Sequence, residues 1–582
     1  MKMLVQHTLG DVPTGSGFVA RMTSKALALA AFCLIVHVPL LDAATYYVSS
    51  SQGDDNNSGT SVDTPWKTFR NVYMKGITAS KYAPGDSILL KAGDAFNGPL
   101  KIINPGADGS PITVGRYGTG PNPIIYGDHP SILWSALDGY PGIYSATPVT
   151  GSSVVRVYDL NGRLYDQRSK GTDSIATWLS KFMPNDWGFD ASTGLFYVCT
   201  PDGNAPPPLH LFEWAAVHAT QDYITFEHLD VRSSNMGIAV TGAKGVVSRN
   251  NTVQDTLFMG IYYGSGASFG EIATNTVTRT GETSIYLQTG GSHWVHHNTC
   301  SYAGGTSEGV TILGIALAPR EQCGIGLERG TNNIVEYNSI SRVYGSFFDY
   351  WLEVRTAVRF NYGFRSGGAA YPHGTGLRLH NNFFNLDGQG PGIGGAHAYD
   401  SSKSPAPDAG ENLIYNNVVY NFKNYGLFSA TNASSNVRFR NNILVATSST
   451  PILVVFSTGI DADYNYYHCT VGPPRGWNWN GITHTTLAAF RAASGQEFNA
   501  IYAPPQFVSD NPITAADFML KGNSPCINAG QDLKAAGFLP PTQEYRDYLG
   551  IPIPQGLGAD IGPYEIREVA PASELRIIDT KP

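Results

Sequence analysis

The chain has 582 residues, of which 14% are charged, and it contains 65 glycines and 36 prolines. This composition is typical of turn-rich β structure and excludes a predominantly helical protein. The formal net charge of −8 argues against a nucleic-acid partner, and any acidic substrate would need local arginines.

The N-terminus has the pattern of a secretory signal peptide. Residues 26–41 are apolar, follow Arg21 and Lys25, and precede the small residues Ala43 and Ala44. Basic, apolar and small segments in that order predict a leader over residues 1–44, with cleavage near residues 43–45. We therefore expect a secreted or periplasmic protein. The alternative is an N-terminal membrane anchor, but the apolar run is short for a membrane span.

Two β-rich segments follow the leader. Polar turns separate short apolar runs over residues 45–127, which predicts an N-terminal cap and the first coils of a repeat structure. Residues 128–208 break this rhythm with several tryptophans and an Asn161-Gly162 hairpin signal, so we expect an inserted β-rich subdomain. Its aromatic residues are interpreted as the core of the insert, with the wall of a sugar groove as the alternative.

Residues 209–470 repeat. Each unit contains a Gly-Ile-x-Leu run, a turn, a Val-x-x-Asn run and another turn, with His228 at an earlier equivalent slot. The repeated asparagines, spaced mostly by 21–25 residues, are Asn251, Asn275, Asn298, Asn338, Asn361, Asn382, Asn417, Asn442 and Asn465. A fixed period above twenty residues predicts a solenoid whose coils stack to bury a common core. Asparagine tolerates left-handed backbone angles, and its amide can pair with the amides above and below.

The C-terminal part contains a short helix and a closing segment. Thr485 or Thr486 is the expected N-cap and Gly495 the stop. Residues 471–565 are predicted to cap the last coil, and residues 566–582 to form a mobile tail. Five cysteines remain after the leader, and either a Cys300–Cys323 disulfide or buried free thiols would fit.

Together, the opening Tyr-Tyr-Val series, the Asn-terminated repeats and the Gly-Ala-Asp-Ile-Gly closing segment resemble the right-handed parallel β-helix of the pectate lyase superfamily. The resemblance covers roughly residues 45–565. It implies an all-β, right-handed parallel β-helix of the secreted, carbohydrate-active type. Lyases with this fold commonly use a Lys or Arg base and calcium held by carboxylates.

Alternation along the strands predicts a functional face. Apolar pairs such as Ile285/Leu287 and Ile325/Leu327 should point inward, so the residues beside them should point out. The predicted outward columns are Ala239, Tyr262, Tyr286, Gly326 and Asp349, and Thr241, Gly264, Gln288, Glu328 and Trp351. Polar groups and aromatic rings on the floor of a shallow groove suit a sugar polymer.

Two long insertions support this face. One lies near residues 304–322 and the other near residues 394–411, both within a few coils of Glu328 and Asp349. They carry the polar residues Glu308, Arg320, Glu321, His397, Tyr399, Asp400 and Lys403. Long loops on one flank of a solenoid are usually functional, although solenoids also tolerate loops elsewhere.

The candidate catalytic residues are Glu328, Asp349 and Glu353. The first two should lie one coil apart with Cα atoms roughly 8 Å from each other. That separation suits glycoside hydrolysis by a protonated acid and an ionised partner, whereas a solvated ion-pair cluster is the alternative. The predicted substrate contacts are Tyr262, Tyr286, Gln288, Arg329, Trp351, Arg355, His397 and Tyr399.

We therefore predict a monomeric, glycan-cleaving glycoside hydrolase without a cofactor, acting on a polysaccharide or oligosaccharide. A polysaccharide lyase, for which calcium is possible, is the first alternative. The predicted face has Arg320, Arg329 and Arg355 but no lysine on its strands, and Lys403 lies in a loop, which makes the lyase the weaker prediction. A non-catalytic glycan-binding protein is the second. His293, His296 and His297 are interpreted as surface histidines rather than metal ligands.

Overall fold

The backbone winds into stacked coils in a computed structural model. It describes residues 43–567 except 130–131, 148–152, 306–310, 314, 317–322, 394–409, 429–436, 448–451, 457–459 and 473–475. A typical coil contributes one strand to each of three parallel sheets. The sequence pattern predicts two strands per coil. The structure corrects this number to three, because a further strand follows the repeated asparagine. The prediction of an all-β parallel β-helix is confirmed.

Sheet 1 contains the Gly-Ile-x-Leu runs. Its strands are Leu100–Ile102, Ala215–Ala219, Met236–Thr241, Ile261–Gly264, Ile285–Gly291, Ile325–Thr331 and the second halves of Ser339–Val354 and Tyr362–Thr375. Bridges through Ile393 continue it into a four-stranded sheet of Leu427–Phe428, Ile452–Phe456, Gly476–Trp479 and Ile482–His484.

Sheet 2 contains the runs that precede the repeated asparagines. Its strands are Thr45–Val48, Ser87–Lys91, Ile112–Tyr117, Ile224–Glu227, Val247–Arg249, Glu271–Ala273, Trp294–His296, Ile334–Glu336, Ala357–Arg359, Arg378–His380, Asn412–Tyr415, Val437–Arg440 and Ile460–Asp463.

Sheet 3 follows the asparagines. Its strands are Ala95–Asn97, Ile124–Tyr126, Asp230–Ser234, Thr252–Thr256, Thr276–Thr280, Thr299–Ala303, the first halves of Ser339–Val354 and Tyr362–Thr375, Phe383–Asn385, Val418–Tyr420, Ile443–Ala446, Tyr466–Cys469 and Ile501–Tyr502.

The asparagines form a continuous hydrogen-bonded ladder between sheets 2 and 3, from Asn251 to Asn465. Each side-chain amide donates to the side-chain oxygen of the next, at 2.9–3.1 Å. The residue before each ladder position has left-handed angles, as at His297 with φ 55°. The prediction that places His228 in the ladder is therefore wrong by one residue, because Leu229 donates its backbone N–H to Asn251.

The interior is filled by the predicted apolar pairs. Ile285 and Ile325 have no exposed surface, and Leu287 and Leu327 have almost none. Aromatic side chains such as Phe347 and Tyr467 fill wider parts of the same core. Because these side chains point inward, their strand neighbours are directed to the outside of sheet 1.

Separate small sheets occupy the stretch between Ile124–Tyr126 and Ala215–Ala219. A five-stranded sheet contains Ser135–Ala136, Ile143–Ala146, Asp166–Gln167, Asp186–Asp190 and Leu195–Cys199. Val154–Asp159 pairs with Leu209–Glu213, and the helix Ile175–Leu179 buries Trp178. Tryptophans 178 and 187 are fully buried, in agreement with their interpretation as core residues.

The remaining helices are short. Phe69–Ile77 lies near the N-terminal coils, and a 3₁₀ turn spans Ala515–Phe518. The helix Leu487–Ser494 has Thr486 as its N-cap and ends at Gly495 in the left-handed conformation, so that prediction is confirmed. Among the described residues, no helix is long and apolar enough to cross a bilayer. The predicted leader lies outside the described residues up to position 42.

The five cysteines that follow the predicted leader are free and buried. Of the two possibilities left open by the sequence, the structure therefore shows thiols and not a Cys300–Cys323 disulfide. Burial raises the pKa of Cys300 to about 12, which keeps this thiol protonated.

Candidate active site

The outward face of sheet 1 has the predicted columns. Tyr286 is paired with Gly326, and Gly326 with Asp349. Gln288 is paired with Glu328, and Glu328 with Trp351. These groove residues and the two acids thus lie on neighbouring strands of one surface, because side chains alternate along each strand.

Glu328 is the centre of a hydrogen-bonded group. The Tyr286 hydroxyl and the Gln288 amide (2.9 Å) both donate to its Oε2 atom, and Arg329 contacts its Oε1 atom at 2.7 Å. Tyr262, a predicted substrate contact, is only 7% exposed, and its hydroxyl donates to Gln288 Oε1 at 2.7 Å, which orients the Gln288 amide toward the acid. These donors stabilise a negative charge on Glu328 and hold its side chain in one position.

Gly326 makes room for the Tyr286–Glu328 contact. A Cβ atom at position 326 would lie 2.5 Å from the Tyr286 ring, so any side chain there would displace the ring. Burial raises the pKa of Tyr286, and the hydrogen bond to Glu328 raises it further. Tyr286 therefore stays protonated at neutral pH and can donate its hydroxyl hydrogen.

Asp349 has a different environment. Its side chain is exposed, yet the surrounding protein atoms desolvate the carboxyl enough to raise its pKa to about 6, partly offset by the backbone N–H of Tyr350. Among the described residues, no side chain donates to Asp349. Below about pH 6, Asp349 is therefore mostly protonated and can donate a proton.

Of the other predicted substrate contacts, the structure places some near Glu328 and others away from it. Trp351 is 43% exposed, with its ring centroid 5.6 Å from that of His373. Arg329 is exposed and touches Glu328. Arg355 lies in the following turn, where its Nε donates to Asn332 Oδ1 at 3.3 Å, so the structure does not bring it to Glu328. His397 and Tyr399 lie outside the described residues, as do the polar residues predicted in both insertions.

The structure contradicts the prediction that Glu353 is a catalytic residue. Its carboxylate is fully buried and accepts from the Gly330 N–H at 2.6 Å, Asn333 Nδ2 at 3.1 Å and Thr356 Oγ1 at 2.5 Å. Burial nevertheless raises its pKa. A carboxylate without access to the surface cannot touch a sugar, so Glu353 is a structural residue that organises the turn after sheet 1.

Sequence reasoning missed two residues next to Asp349. Tyr371 is paired with Asp349, and His373 lies two positions further along the same strand. Their inward neighbours Ala370 and Pro372 precede Asn382 by twelve and ten residues, whereas the aligned coils have thirteen and eleven. This coil is one residue shorter, so the common spacing to the asparagine does not predict Tyr371 and His373 as outward residues. The same alternation, shifted by one position, would have found them.

A lysine on the same face was missed as well. Lys101 and His218 are paired in the column that continues to Ala239 and Tyr262. Burial lowers the pKa of Lys101 and lowers that of His218 to about 4. The insert separates Lys101 from the later coils in sequence, and the coil of His218 lacks a ladder asparagine. The spacing to the repeated asparagines therefore predicts neither residue on this face.

One described part of the first insertion packs against the insert before it. The hairpin Thr311–Ile312 and Ile315–Ala316 contributes Ile312 and Ile315 to a buried cluster with Tyr158, Phe212 and Leu257. The cluster joins the subdomain to the coils on the flank of sheet 1.

The prediction that His293, His296 and His297 are surface residues is wrong for two of the three. His293 is 2% exposed and His296 9% exposed, and only His297 is exposed. His293 accepts from the Gly270 N–H at 3.1 Å, and burial lowers its pKa to about 4. Within the described part of the chain, no group of three or more potential ligands could hold a metal ion.

Comparisons with known proteins agree with this fold. Residues 216–471 match a family model described as the right handed beta helix region. Over 217 residues, 37% of this chain, the sequence is 29% identical to a lacto-N-biosidase of Bifidobacterium longum subsp. longum, and the match covers 12% of that relative. The chain thus spans about an eighth of the length of the curated relative it matches.

Solved structures are similar as well, and two of them illustrate the range. The complex of XylC with xylose has a TM-score of 0.51 and 12% identity, and the match covers 90% of this chain and 99% of that chain. A lacto-N-biosidase from Eubacterium ramulus has a TM-score of 0.41 and 16% identity, with 76% and 66% covered. The predicted resemblance to right-handed parallel β-helix proteins is confirmed at the level of the fold.

Proposed function

We propose that this protein is a glycoside hydrolase that cleaves a polysaccharide or complex glycan with Glu328 and Asp349. The observation that carries the proposal is the unlike environment of two carboxyl groups on adjacent strands. Three donors stabilise charge on Glu328, whereas desolvation raises the pKa of Asp349 to about 6. Paired carboxyls whose environments differ in this way divide the roles of acid and base.

In this mechanism Asp349 is the general acid. It gives its proton to the glycosidic oxygen as the bond to the anomeric carbon breaks, so the leaving sugar departs as a neutral alcohol. Glu328 stays ionised and either attacks the anomeric carbon or removes a proton from the attacking water. Tyr286 and Gln288 hold Glu328 in position for either role.

Aromatic residues beside the acids would bind the sugar ring. Trp351 is exposed one strand from Glu328, and Tyr371 is paired with Asp349. Aromatic faces pack against the apolar faces of sugar rings, while nearby polar groups bond to hydroxyls. The substrate is therefore expected to lie across these strands.

The partial match to a lacto-N-biosidase supports the hydrolase class, because that relative is named as a glycosidase. The match covers only 12% of the relative, so its own substrate is not transferred. The lyase alternative is weaker on geometry. Arg329, the arginine at the site, is paired with Glu328 at 2.7 Å, and among the described strands the lysine on the outward face of sheet 1 is Lys101. Four strands separate it from the strand of Glu328.

Glu328→Gln and Asp349→Asn should each reduce cleavage by roughly 10²–10⁴-fold without lowering the melting temperature, because each removes a group that acts in the transition state. The assay follows new reducing ends on a panel of polysaccharides and oligosaccharides. The matched control is Glu227→Gln, a carboxylate of sheet 2 that pairs with Arg249 at 2.7 Å, and it should stay fully active.

Three outcomes would contradict the proposal. Products with the ultraviolet absorbance of an unsaturated uronate would identify a lyase, and loss of activity on chelation would then point to calcium. Binding without any product would identify a glycan-binding protein. Retained activity in both variants would show that the assignment of the site is wrong.

Export after removal of the leader is also proposed, and N-terminal sequencing of the exported protein tests it.

A further inference from the structure

Sheet 2 presents an exposed tryptophan that is held in place. Trp294 is 44% exposed, and its ring stacks on His296 with centroids 3.8 Å apart. Its Nε1 atom donates to Glu336 Oε1 at 2.9 Å. One face of the indole is thus covered and its orientation is fixed, while much of the ring stays accessible. A rigid, exposed aromatic ring suits the apolar face of a sugar.

A cavity adjoins this ring. It has a volume of about 220 Å³ and lies where the C-terminal segment meets the outer face of sheet 2. Glu336 and Arg359 line it from the coils, and Glu544 and Arg546 line it from the C-terminal segment. Trp294 itself does not line the cavity, but Glu336 does and also accepts from the Trp294 Nε1–H, so one side chain connects the ring to the cavity.

This surface runs along the helix axis. Trp294 is paired with Ile334, Glu336 with Arg359, and Arg359 with His380. The strip therefore crosses four neighbouring strands, a distance of roughly 14 Å at the ordinary spacing of strands. That length accommodates more than one sugar ring, so an oligosaccharide could contact both the ring and the cavity.

The charged groups that line the strip and the cavity are mostly paired with each other. Arg359 Nε is 2.7 Å from Glu336 Oε2, and Arg546 Nε is 3.4 Å from Glu544 Oε2. The remaining carboxyl group of the lining, Asp547, is buried and accepts the backbone N–H groups of Leu549, Ile551 and Glu565. His380 is buried, and burial lowers its pKa to about 3, so it adds no charge. Paired ions attract no ionic ligand strongly, yet guanidinium groups donate and carboxylates accept, which matches the hydroxyl groups of a neutral sugar.

We propose that Trp294, Glu336 and Arg359, with the adjoining cavity, form a second carbohydrate-binding site for a neutral oligosaccharide or polysaccharide chain. It lies on sheet 2, whereas the candidate active site lies on sheet 1. The site binds without cleaving, because the carboxylate nearest to the ring, Glu336, is engaged by both Trp294 and Arg359. It would keep the protein bound to a polymer while the candidate active site on sheet 1 cleaves it.

The test is affinity gel electrophoresis in gels that contain xylan, galactomannan or arabinogalactan. It uses the Glu328→Gln protein, so cleavage cannot remove the polymer, and the result does not depend on the proposed reaction. Trp294→Ala should weaken retardation roughly three- to tenfold, as expected for loss of one aromatic contact. Glu544→Ala should weaken it to a smaller extent, since its side chain is 79% exposed at the edge of the cavity.

The matched control is Phe498→Ala, which removes an aromatic ring that is 65% exposed elsewhere on the protein, and it should bind like the parent. Equal melting temperatures exclude unfolding as the cause of weaker binding. The proposal is overturned if Trp294→Ala migrates like the parent, or if none of the three polymers retards the parent. It is also overturned if Trp351→Ala alone abolishes retardation, because the groove of sheet 1 would then account for all binding.

Discussion

Two regions of this protein repeat once per coil but use the repeat in opposite ways. The ladder from Asn251 to Asn465 places the same residue at each described step, buried between two sheets. The outward face of sheet 1 places a different residue at each step, including Tyr286, Gly326 and Asp349. Both regions have the same strand spacing and the same parallel register.

The difference shows how a solenoid separates stability from chemistry. An amide can pair with an identical amide above and below, so repetition of one residue satisfies every buried donor. A catalytic face needs unlike groups side by side, because an acid, a base and an aromatic ring have different tasks. We therefore expect ladder substitutions to change stability, and face substitutions to change activity.

The largest expected effect is in the ladder. Asn338 donates to Val295 O and Asn361 Oδ1 at 3.0 Å and accepts from Asn298, all in the buried interior. Asn338→Ala leaves these buried groups unpaired and should reduce the free energy of unfolding by about 3–5 kcal/mol. Denaturant titration followed by circular dichroism measures the change.

The matched control for the ladder is Asn56→Ala. Asn56 is exposed and bonds to Asp54 in a surface turn, so its removal should change the free energy of unfolding by about 0.5 kcal/mol or less. A similar small change in Asn338→Ala would show that the ladder contributes little, and the contrast between the two regions would fail.

An intermediate effect is expected for Tyr286→Phe. The change removes the hydroxyl that donates to Glu328 but keeps the ring, so the fold should be unaffected. A hydrogen bond to a charged group is worth about 1.5–3 kcal/mol, which corresponds to a loss of kcat of roughly ten- to hundredfold. Steady-state kinetics on the substrate found in the polysaccharide panel measure it.

Tyr344→Phe is the control, since Tyr344 is 39% exposed on the same long strand as Asp349. It should keep both activity and melting temperature. If Tyr286→Phe lowers the melting temperature and leaves kcat unchanged, Tyr286 contributes to stability rather than to the chemistry of the face.

The smallest effect is a pH dependence at Asp349. Its pKa is raised from 3.8 to about 6 in the folded protein, so the folded state binds a proton more tightly than the unfolded state does. Stability conferred by that proton is present below the unfolded value and is lost as the pH rises through about 6. Asp349→Asn removes this component, so its melting temperature relative to wild type should increase across that window.

Melting temperatures of both proteins between about pH 4 and pH 7.5 test this expectation. The falling limb of kcat/KM near pH 6 should belong to the same group if Asp349 is the acid. A difference in melting temperature that is constant over the whole range would show that Asp349 does not titrate there.

The sequence alone determined the period, the inward pairs and most of the candidate site. A strand alternates strictly, so the inward position of Leu327 implies the outward position of Glu328, and the coil length then aligns Gln288 and Trp351 with it. The ladder was also predictable, because asparagines that recur about once per coil indicate stacked, equivalent turns of a solenoid.

The point at which the alternation stops is set by contacts between coils. Leu352 has left-handed angles, with φ 59°, and the strand register shifts between Tyr350 and Glu353. The kink turns Glu353 from the expected outward position into the interior. A side chain's direction beyond a kink depends on contacts made by a neighbouring coil, here Gly330 and Asn333, and no local pattern in the sequence encodes those contacts.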